Sequence, residues 1–352
     1  MDDTLTLEKA TVEHLKGLFN FKNVELSSKD KRIIALDKAR WITGKLTSKS
    51  FRKAKLDPVT EKDIFNKVKK CIDENKPIYL IILFGGYKHF WNQSYPEIDF
   101  AELFNLHFMA DYVAPILAVH QPGVILDYES EDVIMWMDNY PETALDSYAT
   151  SFKSLIKIFA KDMPANFKIN YVRAKEQYDK NKLFARINEL APKRREEWAK
   201  LSKEELDIKL HRSPASVMWK GESDWSGLSE AEKEKKILES KIINETFYDA
   251  DFELRGEYLN GDNHIPLVLS WGHTYENTAN WLTIGSTYAS STDFWIGRGI
   301  LEYREGKCVD RVVSHKQYDA IKDKLKIVKV TLTPLKNLVS IEVYNGKIDF
   351  ND

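Results

Sequence analysis

Cysteine is nearly absent from this sequence of 352 residues: only Cys71 and Cys308 are present, far apart in the chain. Two such residues cannot build a disulfide framework or a cysteine zinc cluster, and they fit the reducing conditions of a cytoplasm. Long hydrophobic runs are missing as well. The longest wholly apolar stretch, Ile78 to Phe84, falls well short of the roughly 20 residues needed to cross a bilayer, so no membrane span is expected. Neither sign of charge is in surplus, with 52 Lys+Arg against 54 Asp+Glu and a net charge of -2. Nucleic-acid binding draws mainly on surplus Lys and Arg that release counterions, so no nucleic-acid partner is expected, although a local basic groove stays compatible with the total. The start, Met1-Asp2-Asp3-Thr4, is acidic and leads into an amphipathic stretch, without the basic and apolar sections of a secretory signal. What the chain does have is aromatic rings: 12% of residues, including nine Trp, in a sequence that is 30% charged. Rings at that density suit the walls of a pocket.

The first 75 residues read as a helical region. Ser27 and Ser28 can cap a helix carrying Ile33, Ile34, Leu36, Ala39 and Ile42, and Thr60 with Asp63 has the capping-box spacing ahead of Ile64, Phe65, Val68 and Cys71. The remainder, 76–352, reads as an α/β domain. Ile78 to Phe84 has the composition of a strand buried on both faces, as in a parallel sheet, and Gly85-Gly86 stops it. A helix follows from about Ile98 to Val119, which Pro115 should kink or break. Val124 to Tyr128 is the next strand. Glu142 opens a helix with Leu145, Tyr148, Phe152, Leu155, Ile156 and Phe159 at helical spacing, and Phe167 to Val172 is a third strand. Strands alternating with helices predict a Rossmann-like, largely parallel sheet flanked by helices. Between about 174 and 253 the composition turns to Lys and Glu with apolar residues at helical spacing, predicting a charged helical insertion of two or more solvated helices, or a lid or partner surface. From His264 onward strands return at Ile265–Ser270, Trp281–Gly285, Phe294–Tyr303 and in a pair within 326–343 around Pro334, a half expected to be mixed or antiparallel.

In an open parallel sheet, ligands bind beyond the carboxyl ends of the strands, and three such ends can be located. The first is followed by Gly85-Gly-Tyr-Lys88-His-Phe-Trp91-Asn92, in which Lys88 can hold a phosphate, form an imine or shuttle a proton; an exposed loop lysine is the plain alternative. Asp99 and Glu102 stand three apart in the first turn of the next helix, with Asn105 three further on. Acids there either complement the helix dipole or hold an ammonium and relay protons. The second strand end is Asp127-Tyr-Glu-Ser130-Glu-Asp132, an acidic loop without a calcium-loop pattern, so no metal site is expected. At the third, Arg173 is a phosphate contact or a surface ion pair. Late in the chain, Ser270-Trp-Gly-His273 and Ser291-Thr292-Asp-Phe-Trp295-Ile-Gly-Arg298-Gly299 combine rings with small positions, which suits a pocket wall or marks a bulge. Walker, GxGxxG, serine-elbow and HExxH patterns are absent.

Taken in order, Lys88 and Asn92, Pro96 with Asp99 and Glu102, Pro122-Gly123 before a strand, Ser130-Glu131-Asp132, Glu142 with Tyr148, Ser270, Ile284-Gly285 and Thr292-Asp-Phe-Trp295 resemble the pyoverdine/dityrosine biosynthesis family of isocyanide (isonitrile) synthases. The resemblance covers about 76–315 and is strongest over 80–156. It implies condensation of an amino acid's amine with the ketone of ribulose 5-phosphate, whose carbon becomes the isocyanide carbon, with no nucleotide or redox cofactor. Small-molecule amines and a sugar phosphate are then the partners, with a homo-oligomer compatible and a secondary-metabolic, cytoplasmic setting. The site implied has Lys88, Asp99, Glu102, Ser130, Asp132 and His273 as catalytic residues, and Trp91, Asn92, Arg173, Thr292, Trp295 and Arg298 as substrate contacts. Ile296 stands where the family's late motif carries histidine. Two alternatives therefore stay open: another carbon-nitrogen or carbon-carbon bond-forming transferase on a phosphosugar or amine, and a non-catalytic small-molecule-binding protein.

Overall fold

In the computed structural model, five strands run parallel: β1 (Ile78–Leu83), β2 (Val124–Ser130), β3 (Phe167–Arg173), β4 (His264–Leu269) and β5 (Leu282–Ile284). The structure describes residues 3–52, 54–86, 88, 97–138, 140–211, 227–269, 281–285 and 297–348. The sheet order is β3-β2-β1-β4-β5. From β1 the chain builds outward to β2 and β3, then returns to lay β4 and β5 on the other side, so β1 and β4 form the switch point outside which ligands bind in such sheets.

Strand pairing puts alternate residues on common faces. Ile78, Leu80 and Ile82 pair with Val124, Leu126 and Tyr128, and all six are fully buried. Each aliphatic side chain so removed from water contributes about 1.5–3 kcal/mol. The crossover helix α5 (Phe100–Leu117) covers this core and is apolar on nearly every side, which suits a helix enclosed by the sheet, its neighbours and the C-terminal strands. Pro115 lies inside that helix and removes the backbone bond from its own position without breaking it, the Ala118 N–H still bonding to the Ala114 carbonyl. A second crossover helix, α6 (Glu142–Phe159), buries Leu145, Tyr148, Phe152, Leu155, Ile156 and Phe159, the residues its periodicity marked.

The N-terminal helices α1 (Asp3–Gly17), α2 (Ser28–Leu36), α3 (Lys38–Leu46) and α4 (Pro58–Asp73) share this core through Leu15, Trp41, Ile42, Ile64 and Val68. Ser27 caps α2 in a capping box with Asp30. For α4 the expected Thr60/Asp63 box is replaced: Asp57 is the cap, its carboxylate accepting from the Val59 and Thr60 N–H groups, and Pro58 supplies a preset φ at the first position.

The strands at 264–269 and 282–284 join the parallel sheet, so the mixed sheet begins later than expected, at β6 (Arg298–Arg304). With β7 (Lys307–Val313), β8 (Leu325–Lys329) and β9 (Ser340–Asn345) it forms the order β7-β6-β9-β8. β7 was missed in sequence. Its signal was Glu305-Gly306, both at positive φ, which closes a tight hairpin with β6.

Chain contacts divide the molecule into two compact units, one of 1–130, 143–172 and 262–352 and the other of 131–142 and 173–261. The second unit, taken by itself, is helical: α7 (Lys180–Trp198), α8 (Lys203–His211), α9 (Glu230–Leu254) and the short α10 (Gly256–Asn260). Ion pairs Arg186–Glu253, Arg194–Asp249 and Arg195–Glu239 run in opposite directions along α7 and α9, which makes these helices an antiparallel pair. Such exposed pairs set register more than stability, at about 0–1 kcal/mol each. Ile187, Ala191, Ile242, Phe247 and Ala250 are the buried apolar stripe.

Candidate active site

The amino end of α5 carries a buried polar cluster of the first unit. Asp99 is the N-cap, its Oδ1 accepting from the Ala101 N–H at 2.7 Å, while Glu102 Oε2 accepts from the Asp99 N–H at 2.8 Å. A reciprocal box of this kind is ordinary at a solvent-facing helix end. Here both acids are buried, Glu102 completely. Lys88, equally inaccessible, extends its ammonium between them: Nζ lies 3.1 Å from Asp99 Oδ1 and 3.2 and 3.1 Å from Glu102 Oε1 and Oε2. The Tyr148 hydroxyl on α6 donates to Glu102 Oε1 at 3.2 Å, and the Gly299 N–H on β6 donates to Asp99 Oδ1 at 3.2 Å. Four separate stretches of chain thus meet here, three of them converging on the two carboxylates at the start of α5.

The Lys88 ammonium faces two carboxylates, all three buried, and Arg298 acts on Asp99 as well. Burial pushes Glu102 up to about 7, Lys88 opposes that rise and the neighbouring Asp99 adds to it. Burial, then the Glu102 charge, holds the Tyr148 phenol well above its usual value. Glu102 can accordingly take up or release a proton near neutrality, the property required of a general acid-base. Asp99 Oδ2 is buried and has no hydrogen-bond partner among the described residues.

Gly86 and Ser130 form the adjoining wall. Gly86 has φ 109°, and a Cβ there would lie 2.4 Å from Ser130 Oγ and 2.7 Å from the Tyr171 hydroxyl. Gly86→Ala is therefore expected to lower stability by roughly 1–3 kcal/mol through backbone strain and overpacking. Chemical denaturation checks this; an unchanged midpoint would show that the loop adapts freely. The Ser130 hydroxyl donates to the Gly85 carbonyl at 2.9 Å, so it ties the β1 end to the β2 end. Gly299 is equally constrained, since a Cβ there would fall 2.2 Å from the Ala101 nitrogen and push β6 off the start of α5.

The remaining expected site residues are distributed as follows. In the second unit, Asp132 and Arg173 pair with each other, Asp132 Oδ2 accepting from Arg173 Nε at 2.5 Å, both side chains buried. Burial raises Asp132 to about 6 against the pull of Arg173. Arg298 donates from Nε to Glu342 Oε2 at 2.6 Å and lies over the Tyr318 ring, and its charge also acts on Asp99, to which the next residue, Gly299, donates. Trp91, Asn92, His273, Thr292 and Trp295 lie outside the described residues. Among the described residues no group of three His, Cys, Asp or Glu is placed to hold a metal ion, and no helix is long and apolar enough to cross a membrane.

Two neighbours of the cluster were noted in sequence without being among the expected site residues. Tyr148 stood in the motif order and in the periodicity of helical core. Asn105 stood at i+3 from Glu102, in the same cluster. It is fully buried, and its Oδ1 accepts from the Tyr128 hydroxyl at 2.8 Å.

No protein-family model matches the sequence, and no curated protein does. Among solved structures, the fold is similar to that of the PvcA protein from Pseudomonas aeruginosa: the match has a TM-score of 0.58 at 14% identity, covering 87% of this chain and 99% of that one. Nearly the whole of PvcA is thus reproduced in architecture, and the likeness is one of fold.

Proposed function

We propose that this chain is an isocyanide synthase-like enzyme that converts the amine of an amino acid or related amine to an isocyanide, with ribulose 5-phosphate as carbon donor and no further cofactor. The observation that carries the reading is the buried Lys88–Asp99–Glu102 cluster at the switch-point end of the sheet. The order of motifs resembling that synthase family supports it, as does the PvcA-like scaffold on which those motifs fall.

The chemistry begins with an amine that must lose a proton to attack a ketone, and continues with a carbinolamine that must gain one to lose water. Asp99 Oδ2 receives the substrate ammonium. Glu102, titrating near 7, takes the proton as the nitrogen attacks, and Lys88 or protonated Glu102 returns it to the departing hydroxyl. Lys88 was also a candidate phosphate contact from sequence. With its charge already offset by two carboxylates, proton transfer is the role that the geometry favours.

The test is incubation of the purified protein with ribulose 5-phosphate, labelled with carbon-13 at the ketone carbon, and a panel of amino acids and amines. Mass spectrometry is expected to find the label in an isocyanide. Absence of conversion with every amine would reject the activity. Turnover to another product would favour a different bond-forming transferase, and ligand-induced thermal stabilisation without turnover would favour a binding protein.

A further inference from the structure

Asp99, Glu102 and Asn105 follow one another at a spacing of three at the start of α5, so Glu102 neighbours both the cap and Asn105. Asn105 is completely buried. The Tyr128 hydroxyl occupies its Oδ1, while its Nδ2, with two N–H donors, has no hydrogen-bond partner among the described residues. A buried amide nitrogen left unpaired is costly, and such groups call for a partner. The neighbours of Asn105 tie it to the acid cluster. Tyr128 packs edge-on against Phe152, which in turn lies against Tyr148, the residue that donates to Glu102. Asn105 and Glu102 are therefore joined through one continuous set of packed rings. The two unsatisfied atoms are also complementary in kind, with an anionic acceptor at Asp99 Oδ2 and a neutral donor at Asn105 Nδ2, and the acid-base Glu102 between them.

We infer that Asn105 is a substrate-binding residue whose Nδ2 donates a hydrogen bond to an oxygen of the carbonyl co-substrate, placing the ketose beside an amine held by Asp99. This inference rests on the proposed reaction. A neutral amide donor suits a ketone or hydroxyl oxygen, and it adds no charge to a site in which a cation and two acids already balance a mobile proton.

The test compares Asn105→Asp and Asn105→Ser with wild type in steady-state assays, varying ribulose 5-phosphate and the amine separately. Asn105→Asp keeps the acceptor for Tyr128 and removes the donors; Asn105→Ser shortens the side chain without adding charge. Both are expected to raise KM for ribulose 5-phosphate roughly 10- to 100-fold. KM for the amine should stay within about twofold, a split that a general loss of structure would not give. Equal KM values for ribulose 5-phosphate in a folded variant and wild type would overturn the assignment. Should neither variant fold, wild-type protein crystallised with ribulose 5-phosphate decides: a sugar oxygen within about 3.2 Å of Asn105 Nδ2 supports it, and a nearest oxygen beyond about 4 Å rejects it. Failure of the proposed reaction itself is read separately, as wild-type protein that neither binds nor consumes ribulose 5-phosphate.

Discussion

Replacing Lys88 by methionine is expected to abolish measurable turnover and, at neutral pH, to remove about 3–5 kcal/mol of stability, the usual consequence of leaving buried charge uncompensated. Methionine is close to lysine in length, so the loss is electrostatic more than steric. In wild type the ammonium lies within 3.2 Å of both carboxylates; without it, Asp99 and Glu102 repel each other in the interior. The two effects can be separated. In Lys88→Met/Glu102→Gln one of the two anions is gone, so stability should return toward wild type while turnover stays absent. Urea unfolding together with the isocyanide assay measures both. Wild-type turnover in Lys88→Met would remove lysine from the chemistry, and a double variant no more stable than the single one would show that charge is not what Lys88 supplies.

Glu102→Gln should alter two pH profiles. The folded value of Glu102 is raised to about 7, above its ordinary range, chiefly by burial. Between the unfolded and folded values the native state holds the extra proton, so this group's contribution to stability is complete at low pH and is lost as pH rises through about 7. Each unit of displacement corresponds to about 1.4 kcal/mol. Asp132, raised to about 6, adds a slope of the same sign, so the diagnostic quantity is the difference between wild type and variant. Glu102→Gln should flatten that part of the stability profile which falls between weakly acidic pH and 7. In kcat/KM, a proton acceptor titrating near 7 gives a rising limb centred there, and the variant should lose the limb along with roughly 10²- to 10⁴-fold of rate. Retention of the same limb in Glu102→Gln would assign it to another group.

Much of the architecture was written in local patterns. The run Ile78–Phe84 closed by two glycines, the apolar spacing of 142–159, and the Lys/Glu-rich 174–253 stretch each specify the kind of element they form, because burial on both faces, burial on one stripe and solvation on most sides leave different periods. The errors lie where a local pattern has two tertiary outcomes. A short strand such as Leu282–Ile284 reads the same in a parallel or an antiparallel sheet, and only its partner β4 decides. Thr60 had the spacing of a cap, yet Asp57 with Pro58 outcompetes it.

The site divides in the same way. Sequence alone determined that Lys88 follows a strand end, that Asp99 and Glu102 share one face of a helix start, and that neither a dinucleotide fingerprint nor a cysteine metal cluster is present, since these are matters of spacing and residue type. It also carried both readings of the two acids, as helix caps and as ligand groups; the structure shows the capping, by Asp99 Oδ1 and Glu102 Oε2, with Lys88 beside both. Only the tertiary structure decided that the capping box is sealed from water, that Tyr148 and Gly299 reach it from distant parts of the chain, and that Arg298 is engaged by Glu342. The physical reason is desolvation: a carboxylate's proton affinity depends on which groups exclude its water, and those groups are assembled by long-range packing.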